Sequence, residues 1–455
     1  MKELHSSACA TATDDMPSAS LATQRAPGPD SDRIVDALER LFRAFDGRLA
    51  LRLWDGRALM LGRAAPSSAP TPFTLVCRTP HVVRSLLGGG DPLRLVDAYF
   101  RGELDIEGDF FEALRLKDHI QVLRLPWKDR WRVLLTTLRL RSAAAFDSAR
   151  TSLLAPRVQA HSKAENREAI GFHYDVSNDF YRLWLDERMV YSCAYFENPD
   201  STLEAAQTAK LEHICRKLQL TPGQRLLDVG CGWGALVMHA ARHHGVTAHG
   251  ITLSERQLAE AKARICAAGL ADRVTVELRD YRDLPGECVY DKVSSVGMFE
   301  HVGLKNLPTY FNTLFRQLRP GGLLLNHGIT HYVEGWHKSL STVFINRYVF
   351  PDGQLDTVGN IERHMERAEF EILDVEAWRP HYAKTLRHWV SRLEARHAQA
   401  LAHVSEATWR VWRLYMAACA LEFESGDIGV YQILAARRMS GGTPIPLTRR
   451  HIYPN

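Results

Sequence analysis

No two cysteines stand in a C-x-x-C pair. The eight present (Cys9, Cys77, Cys193, Cys215, Cys231, Cys266, Cys288 and Cys419) are scattered. Neither a zinc ribbon nor a dithiol redox motif is indicated, no metal site is expected, and the spread fits reduced thiols in a cytosolic protein. No apolar run approaches the length that crosses a bilayer. Residues 1–30 carry acidic residues and no apolar h-region, so no secretory signal is expected. Gly-Lys-Ser/Thr is absent, which excludes a phosphate-binding P-loop. An excess of one charge is missing too: a net charge of +4 does not point to nucleic acid. What remains is an ordinary globular composition, 45% hydrophobic and 24% charged, and 455 residues suffice for two or three domains.

The chain is organised around Leu226-Leu227-Asp228-Val229-Gly230-Cys231-Gly232-Trp233-Gly234. The apolar run predicts a buried strand, the glycines a turn, and Ala235 onward a helix that stops at Gly245. Glycines at a strand-to-helix corner let backbone N–H groups approach a ligand where a Cβ would collide. In open α/β sheets that corner is where ligands bind. Further strands are expected at Val246–Thr252, Val274–Leu278, Val293–Val296 and Leu323–Asn326, the last after a Pro320-Gly321-Gly322 turn. Helices are expected at Leu203–Leu218, after Ser254 and at Lys305–Leu318. Phe370–Val375 and Ile428–Ala435 read as two more strands, with a mostly helical stretch from Thr385 to Phe423 between them. The alternation predicts an α/β fold with a seven-stranded, mostly parallel, doubly wound sheet.

Ahead of it, residues 1–30 read as a disordered tail. A smaller N-terminal α+β domain is expected over 31–141, with a helix from Ser31 and strands at Leu49–Leu53, Ala58–Leu61 and Phe73–Val76. Asp55-Gly56 marks a hairpin between the first two. Helices are expected at His81–Leu87 and Pro92–Phe100. Leu114–Arg141 is basic and leucine-rich, with Trp127 and Trp131 one turn apart and Pro126 breaking it into two helices. Such a segment either lies in a lipid headgroup region or packs on the domain with a solvated basic face. Residues 142–165 read as a linker, 166–440 as the second domain and 441–455 as a tail.

The corner chooses among cofactors. A dinucleotide site wants G-x-G-x-x-G and an acidic residue about 20 positions on; here the spacing is G-x-G-x-G, and the second strand ends Gly250-Ile251-Thr252-Leu253-Ser254. The D-x-G-x-G-x-G form resembles the S-adenosylmethionine motif of class I methyltransferases. An aspartate there suits the positive sulfonium and amino groups.

Several stretches in order extend the likeness: Tyr191-Ser-Cys-Ala-Tyr-Phe196, Gly250-Ile-Thr-Leu-Ser-Glu-Arg-Gln257, Asp280-Tyr-Arg-Asp-Leu284 and Val296-Gly-Met-Phe-Glu-His-Val-Gly303, then Tyr348-Val-Phe-Pro-Asp-Gly353 and Pro380-His-Tyr-Ala-Lys-Thr-Leu386. From about 166 to 436 the chain resembles the cyclopropane-fatty-acyl-phospholipid synthase family. The N-terminal region resembles, more loosely, the small domain of its phospholipid-acting members. The resemblance implies transfer of one carbon from S-adenosylmethionine to a cis double bond in a phospholipid acyl chain, at the inner face of a membrane in the cytoplasm. It also implies a bound bicarbonate as base. The matching positions are Cys193, Glu300, His327, Ile329 and Tyr382, with Cys193 and Ile329 acting through the backbone. Cys419 also matches; with no base nearby in sequence, a packing role is favoured. Carried over for the cofactor are Tyr191, Ser192, Asp228, Gly230, Cys231, Gly232, Trp233, Gly234, Thr252, Leu253, Ser254, Gln257, Asp280 and Tyr281. Gln257 faces a conflict, because a capping box would turn it toward the helix start. His173 and Tyr174 are expected to close the cofactor site. Phe172, Tyr195, Phe196, Phe299, Trp336, Phe344 and Tyr348 are candidates for the acyl channel or for plain core.

One departure matters. Asn326 and Gly328 flank His327, where many ring-forming members have an apolar residue and a threonine. This sets the chain in a side branch whose product is either a ring or a methylene or methyl branch. A lipid-binding protein without activity is the alternative of another class. The partner expected is an unsaturated phospholipid, not nucleic acid, and a homodimer is left open.

Overall fold

Burial on both faces turns the central strands into near-continuous apolar runs. Leu226, Leu227 and Val229 of β5 (Arg225–Val229) have no exposed surface. β6 (Thr247–Thr252), β7 (Val274–Leu278), β8 (Tyr290–Val296) and β9 (Leu318–His331) lie parallel to it. β11 (Ile428–Arg437) runs antiparallel between β9 and β10 (Phe370–Ala377). The order β10-β11-β9-β8-β5-β6-β7 reverses direction around β5 and β8, which opens a crevice at their carboxyl ends. In this computed structural model the described residues are 29–43, 45–63, 71–87, 93–120, 176–335, 340–349, 353–442 and 445–453. The expectations for the first 28 residues, for residues 121–141 with Trp127, Trp131 and Pro126, for the linker, and for Phe172, His173, Tyr174 and Trp336 lie outside them.

The doubly wound α/β sheet is as expected, with differences at strand and helix ends. Pro320-Gly321-Gly322 does not separate a helix from a strand. It sits inside β9 as a bulge: Leu318 pairs with Tyr290, and Leu323 next with Lys292. Gly321, at φ +74°, provides the local reversal. The helical stretch begins at Arg379, six residues before Thr385, because Pro380 falls in the first turn, where its missing N–H costs nothing.

A second sheet, in the order β2-β1-β3-β4, is built from β1 (Leu49–Arg52), β2 (Ala58–Leu61), β3 (Phe73–Cys77) and β4 (Leu104–Gly108). It shares one apolar core with helices Arg379–Ala395 and Glu406–Ser425 of the larger domain. The joint is specific. The Arg410 guanidinium donates to the Tyr99 carbonyl at 3.2 Å and to both Asp105 oxygens at 3.3 Å. Arg413 lies 3.7 Å from the Phe110 ring centre, and Phe100 meets Tyr348 edge-on. Among the described residues no helix is long and apolar enough to cross a membrane.

Trp184, with no exposed surface, is ringed by Phe180, Tyr181, Tyr191, Trp389 and Trp412. Trp184→Ala is expected to cost about 3–5 kcal/mol, read as a lower urea midpoint; a loss below about 1 kcal/mol would show that the cluster is dispensable.

Candidate functional site

Gly230, Gly232 and Gly234 all take positive φ, at +82°, +55° and +83°. The chain therefore folds back from β5 and enters helix Ala235–His244 without a Cβ in the way. Gly250 on β6 completes the corner, since a Cβ there would come within 2.8 Å of Cys231. Cys231 is thus a small filler, and burial holds its thiol well above its usual range.

The cleft above this corner is lined by Tyr191, Ser192, Asp228, Gly230, Cys231, Gly232, Trp233, Thr252, Leu253, Gln257 and Tyr281 among the expected positions. Three expected positions do not line it. Gly234 is taken up as the N-cap of the helix. Ser254 caps helix Glu255–Ala267 by accepting from the Gln257 N–H. Asp280 is turned into its own loop, accepting from the Arg282 N–H at 2.9 Å and from its guanidinium at 2.6 Å, so its charge is neutralised there. The conflict at Gln257 resolves by dividing its groups. Its N–H serves the cap, while its side-chain oxygen accepts from Thr252 Oγ1 at 2.7 Å on the cleft side.

The sequence reading missed Lys210. The residue is 3% exposed and lines the cleft, and its ammonium donates to Ser192 Oγ at 2.8 Å. Burial lowers it to about 8, against the pull of Asp186 and Asp228. Gln207, one turn earlier, donates to the carbonyl of Ser192 at 3.0 Å and so holds the Tyr191–Ser192 loop. Asp228 accepts from Ser294 Oγ at 2.7 Å. Its burial raises the carboxyl to about 6, with Ser294 and Lys210 opposing.

A second cavity adjoins the first and shares Tyr191, Ser192, Gly297 and His301 with it. It brings together all six of the expected catalytic positions: Cys193, Glu300, His327, Ile329, Tyr382 and Cys419. They arrive from the loop before helix Leu203–Lys217, the turn after β8, the end of β9 and the two long helices. Glu300 is 5% exposed; Oε1 accepts from the Ile329 N–H at 2.8 Å, and Oε2 is buried with no partner among the described residues. Burial raises its carboxyl. The Ile329 N–H is thereby committed to orienting Glu300 and is not free for a ligand. Neither ring nitrogen of His327 has a partner among the described residues. Burial, and then Lys210 and Lys217, push its imidazole well below the usual range, so the ring is neutral. The Cys193 thiol is fully buried, pointing to the Ala194 and Trp378 carbonyls, and its pKa is raised by burial.

The remaining wall is mostly apolar, with Leu355, Leu386, Tyr415, Phe423 and Val430. The described aromatic candidates, Tyr195, Phe196, Phe299, Phe344 and Tyr348, do not line it. Phe344 and Tyr348 pack against Phe100 of the small domain, Phe196 stacks on His388, and Tyr195 lies on Trp378. Phe299 sits under Gly328, where any Cβ would come within 2.2 Å of its ring. Gly328 is therefore required by this packing. Outside both cavities, Cys215, His239 and His244 converge. Glu212 accepts from both imidazoles at 3.2 and 3.1 Å, which accounts for their approach by hydrogen bonding.

Residues 161–433 match the family described as mycolic acid cyclopropane synthetase. The chain is 44% identical over 409 residues to a probable fatty acid methyltransferase of Pseudomonas putida, spanning 89% of this chain and 96% of that one. It is 41% identical over 272 residues to the cyclopropane-fatty-acyl-phospholipid synthase of Escherichia coli strain K12, spanning 59% of this chain and 68% of the relative. The crystal structure of mycolic acid cyclopropane synthase CmaA1 complexed with SAH and CTAB superposes with a TM-score of 0.56 at 34% identity, covering 59% of this chain and 98% of that one.

Since Asp228 takes up a proton near pH 6, affinity for S-adenosylmethionine is expected to fall below that point, where the carboxyl stops attracting the sulfonium. Asp228→Asn is expected to bind about tenfold more weakly at neutral pH and to lose this pH dependence. Titration calorimetry on both sides of the transition checks it, and equal affinity in the two proteins would remove Asp228 from the cofactor's surroundings.

Proposed function

The chain belongs to the mycolic acid cyclopropane synthetase family, and we propose that this S-adenosylmethionine-dependent methyltransferase adds one carbon to a cis double bond of an unsaturated phospholipid acyl chain, closing a cyclopropane ring at the inner face of a membrane. The observation that carries this reading is the second cavity. It is apolar along most of its wall, adjoins the cofactor cleft through Tyr191, Ser192, Gly297 and His301, and brings Glu300, His327 and Tyr382 together. The names of the relatives support a fatty acyl substrate.

S-adenosylmethionine supplies the electrophilic carbon when bound. An alkene is a weak nucleophile, and its attack leaves a carbocation. The chain must then hold the alkene beside the cleft, keep water from trapping the cation, and remove a proton. Leu355, Leu386 and Val430 give an apolar wall that excludes water, and the rings of Tyr191, Tyr382, Tyr415 and Phe423 line the same cavity and suit a cation there. Bicarbonate fits the niche. Glu300 Oε2 and both His327 nitrogens are buried without a protein partner among the described residues, and such groups require one. When bound, it supplies a base that neither a raised carboxyl nor a depressed imidazole provides alone. Glu300 in its protonated form gives the O–H that lets an anion sit beside it.

Loss of a proton from a neighbouring chain carbon instead would leave a methylene or methyl branch. Asn326 and Gly328, which flank His327, favour this second reading, because they depart from the residues that ring-forming members of the resembled family carry there. The full-length relative named as a methyltransferase supports it as well.

Purified protein, methyl-labelled S-adenosylmethionine and vesicles of cis-unsaturated phospholipid are expected to yield acyl chains heavier by one labelled carbon, with fragmentation separating ring from branch; a lipid free of label would reject both readings. Glu300→Gln, which cannot give up a proton, is expected to lower kcat by about 100-fold while the affinity for S-adenosylmethionine stays within about twofold. Wild-type turnover in that variant would take Glu300 out of the proton chemistry.

A further inference from the structure

Polar residues on a helix that covers a sheet normally face water. Helix Leu203–Lys217 does the opposite. Gln207, Lys210, His213 and Lys217 are 0%, 3%, 2% and 0% exposed. They follow one another at helical spacing and form a single stripe turned toward the sheet. The stripe starts at the cofactor cleft, where Lys210 meets Ser192. It ends at β10, where Lys217 meets Asp374 at 3.1 Å and Glu376 at 2.5 Å.

A matching row lies on the sheet. His327 of β9 pairs directly with Gln432 of β11, and Gln432 pairs directly with Glu376 of β10. Directly paired residues project from the same face, so the three side chains stand side by side under the helix. Gln432 is fully buried, yet neither its amide oxygen nor its amide nitrogen has a partner among the described residues. The same holds for both nitrogens of His327. Four buried polar atoms in sequence, without protein partners, call for ordered water between them. Tyr195 and Trp378 pack beside this row, stacked on His213 at 4.6 Å and set edge-on to His327 at 5.3 Å. At the outer end Glu376 accepts from His213 Nε2 at 2.9 Å, and its side chain is 19% exposed, so the row reaches solvent.

We propose that this row is a water-filled corridor that carries the proton released in the Glu300–His327 niche past Gln432 to the Glu376–His213 pair and out to solvent. The proposal rests on the carbocation reading above. In that reaction a C–H bond breaks, its electron pair forms the last carbon–carbon bond, and its proton is left in the niche. Each hop along the row accepts a proton at one end and releases one at the other, so no charge accumulates in the cavity.

Gln432→Leu keeps the volume, fills the row with an apolar group and strands no charge. It is expected to fold with the wild-type melting temperature and to keep the cofactor affinity and the KM for lipid. Its kcat should fall about tenfold or more, with a larger solvent deuterium isotope effect. A purely structural role would not produce that split. Wild-type kcat and isotope effect in a folded variant overturn the corridor. Should the variant not fold, ordered waters between His327 and Glu376 in a high-resolution crystal structure of the wild-type protein support it, and a dry gap overturns it. Label transfer by the wild-type protein is the separate control: its failure sinks the reaction itself, whereas its success beside an unimpaired Gln432→Leu sinks only the corridor.

Discussion

A carboxylate with almost no access to water accepts one hydrogen bond from a backbone amide, and the geometry of both cavities follows from it. Glu300 lies in the turn after β8, and Ile329 at the end of β9. The bond between them fixes how far the two parallel strands separate beyond their last shared pair, Val296 with His327. The cofactor cleft and the apolar cavity meet near this point, sharing Gly297 and His301. The bond also leaves Oε2 of Glu300 without a protein partner among the described residues, in the cavity that His327 lines. A buried ionisable group is stabilised in its neutral form, so the site holds a carboxyl raised by burial beside an imidazole lowered by burial.

Dryness depends on elements far away in sequence. Helices Arg379–Ala395 and Glu406–Ser425 cover the apolar cavity on one side, contributing Tyr382, Leu386, Tyr415, Cys419 and Phe423. The small domain braces the second of these helices. Arg410, 9% exposed, gains carbonyl and carboxylate partners for a guanidinium that would be expensive to bury alone. Cation–π contacts of Arg410 and Arg413 with Tyr99 and Phe110 add to the same seam. The family match begins at residue 161, but the cavity it defines is supported by residues before it.

The strands and the glycine corner were legible because burial on two faces and positive φ leave plain marks on a sequence. Leu226-Leu227-Asp228-Val229 reads as one strand, and Gly230, Gly232 and Gly234 as one turn, without reference to any partner. Three kinds of residue were not legible. Pro320-Gly321-Gly322 looks like a turn in isolation, and only pairing with β8 makes it a bulge. Asp280 looks like a cofactor ligand, but Arg282 two residues on claims its charge. Lys210, His213 and Lys217 look like the solvated side of an amphipathic helix. One signal was available: they share a helical face with Leu203, Ala206 and Ile214, which are buried. For the described aromatic candidates the choice between channel and core was not legible either, since a ring serves equally well in both and nothing local distinguishes the two.

The amino-acid order alone determined the α/β alternation and the place of the glycine corner. Each of these follows from periodicity or backbone freedom within a few residues. The tertiary structure decided which groups are dry. Desolvation depends on what other segments lay over a side chain, and that turned Glu300, His327 and Lys210 from ordinary surface-type residues into groups with shifted protonation. It also decided that His327, Gln432 and Glu376, from three strands far apart in the chain, stand in one row, because register between strands is set by packing across the sheet and not by any one strand.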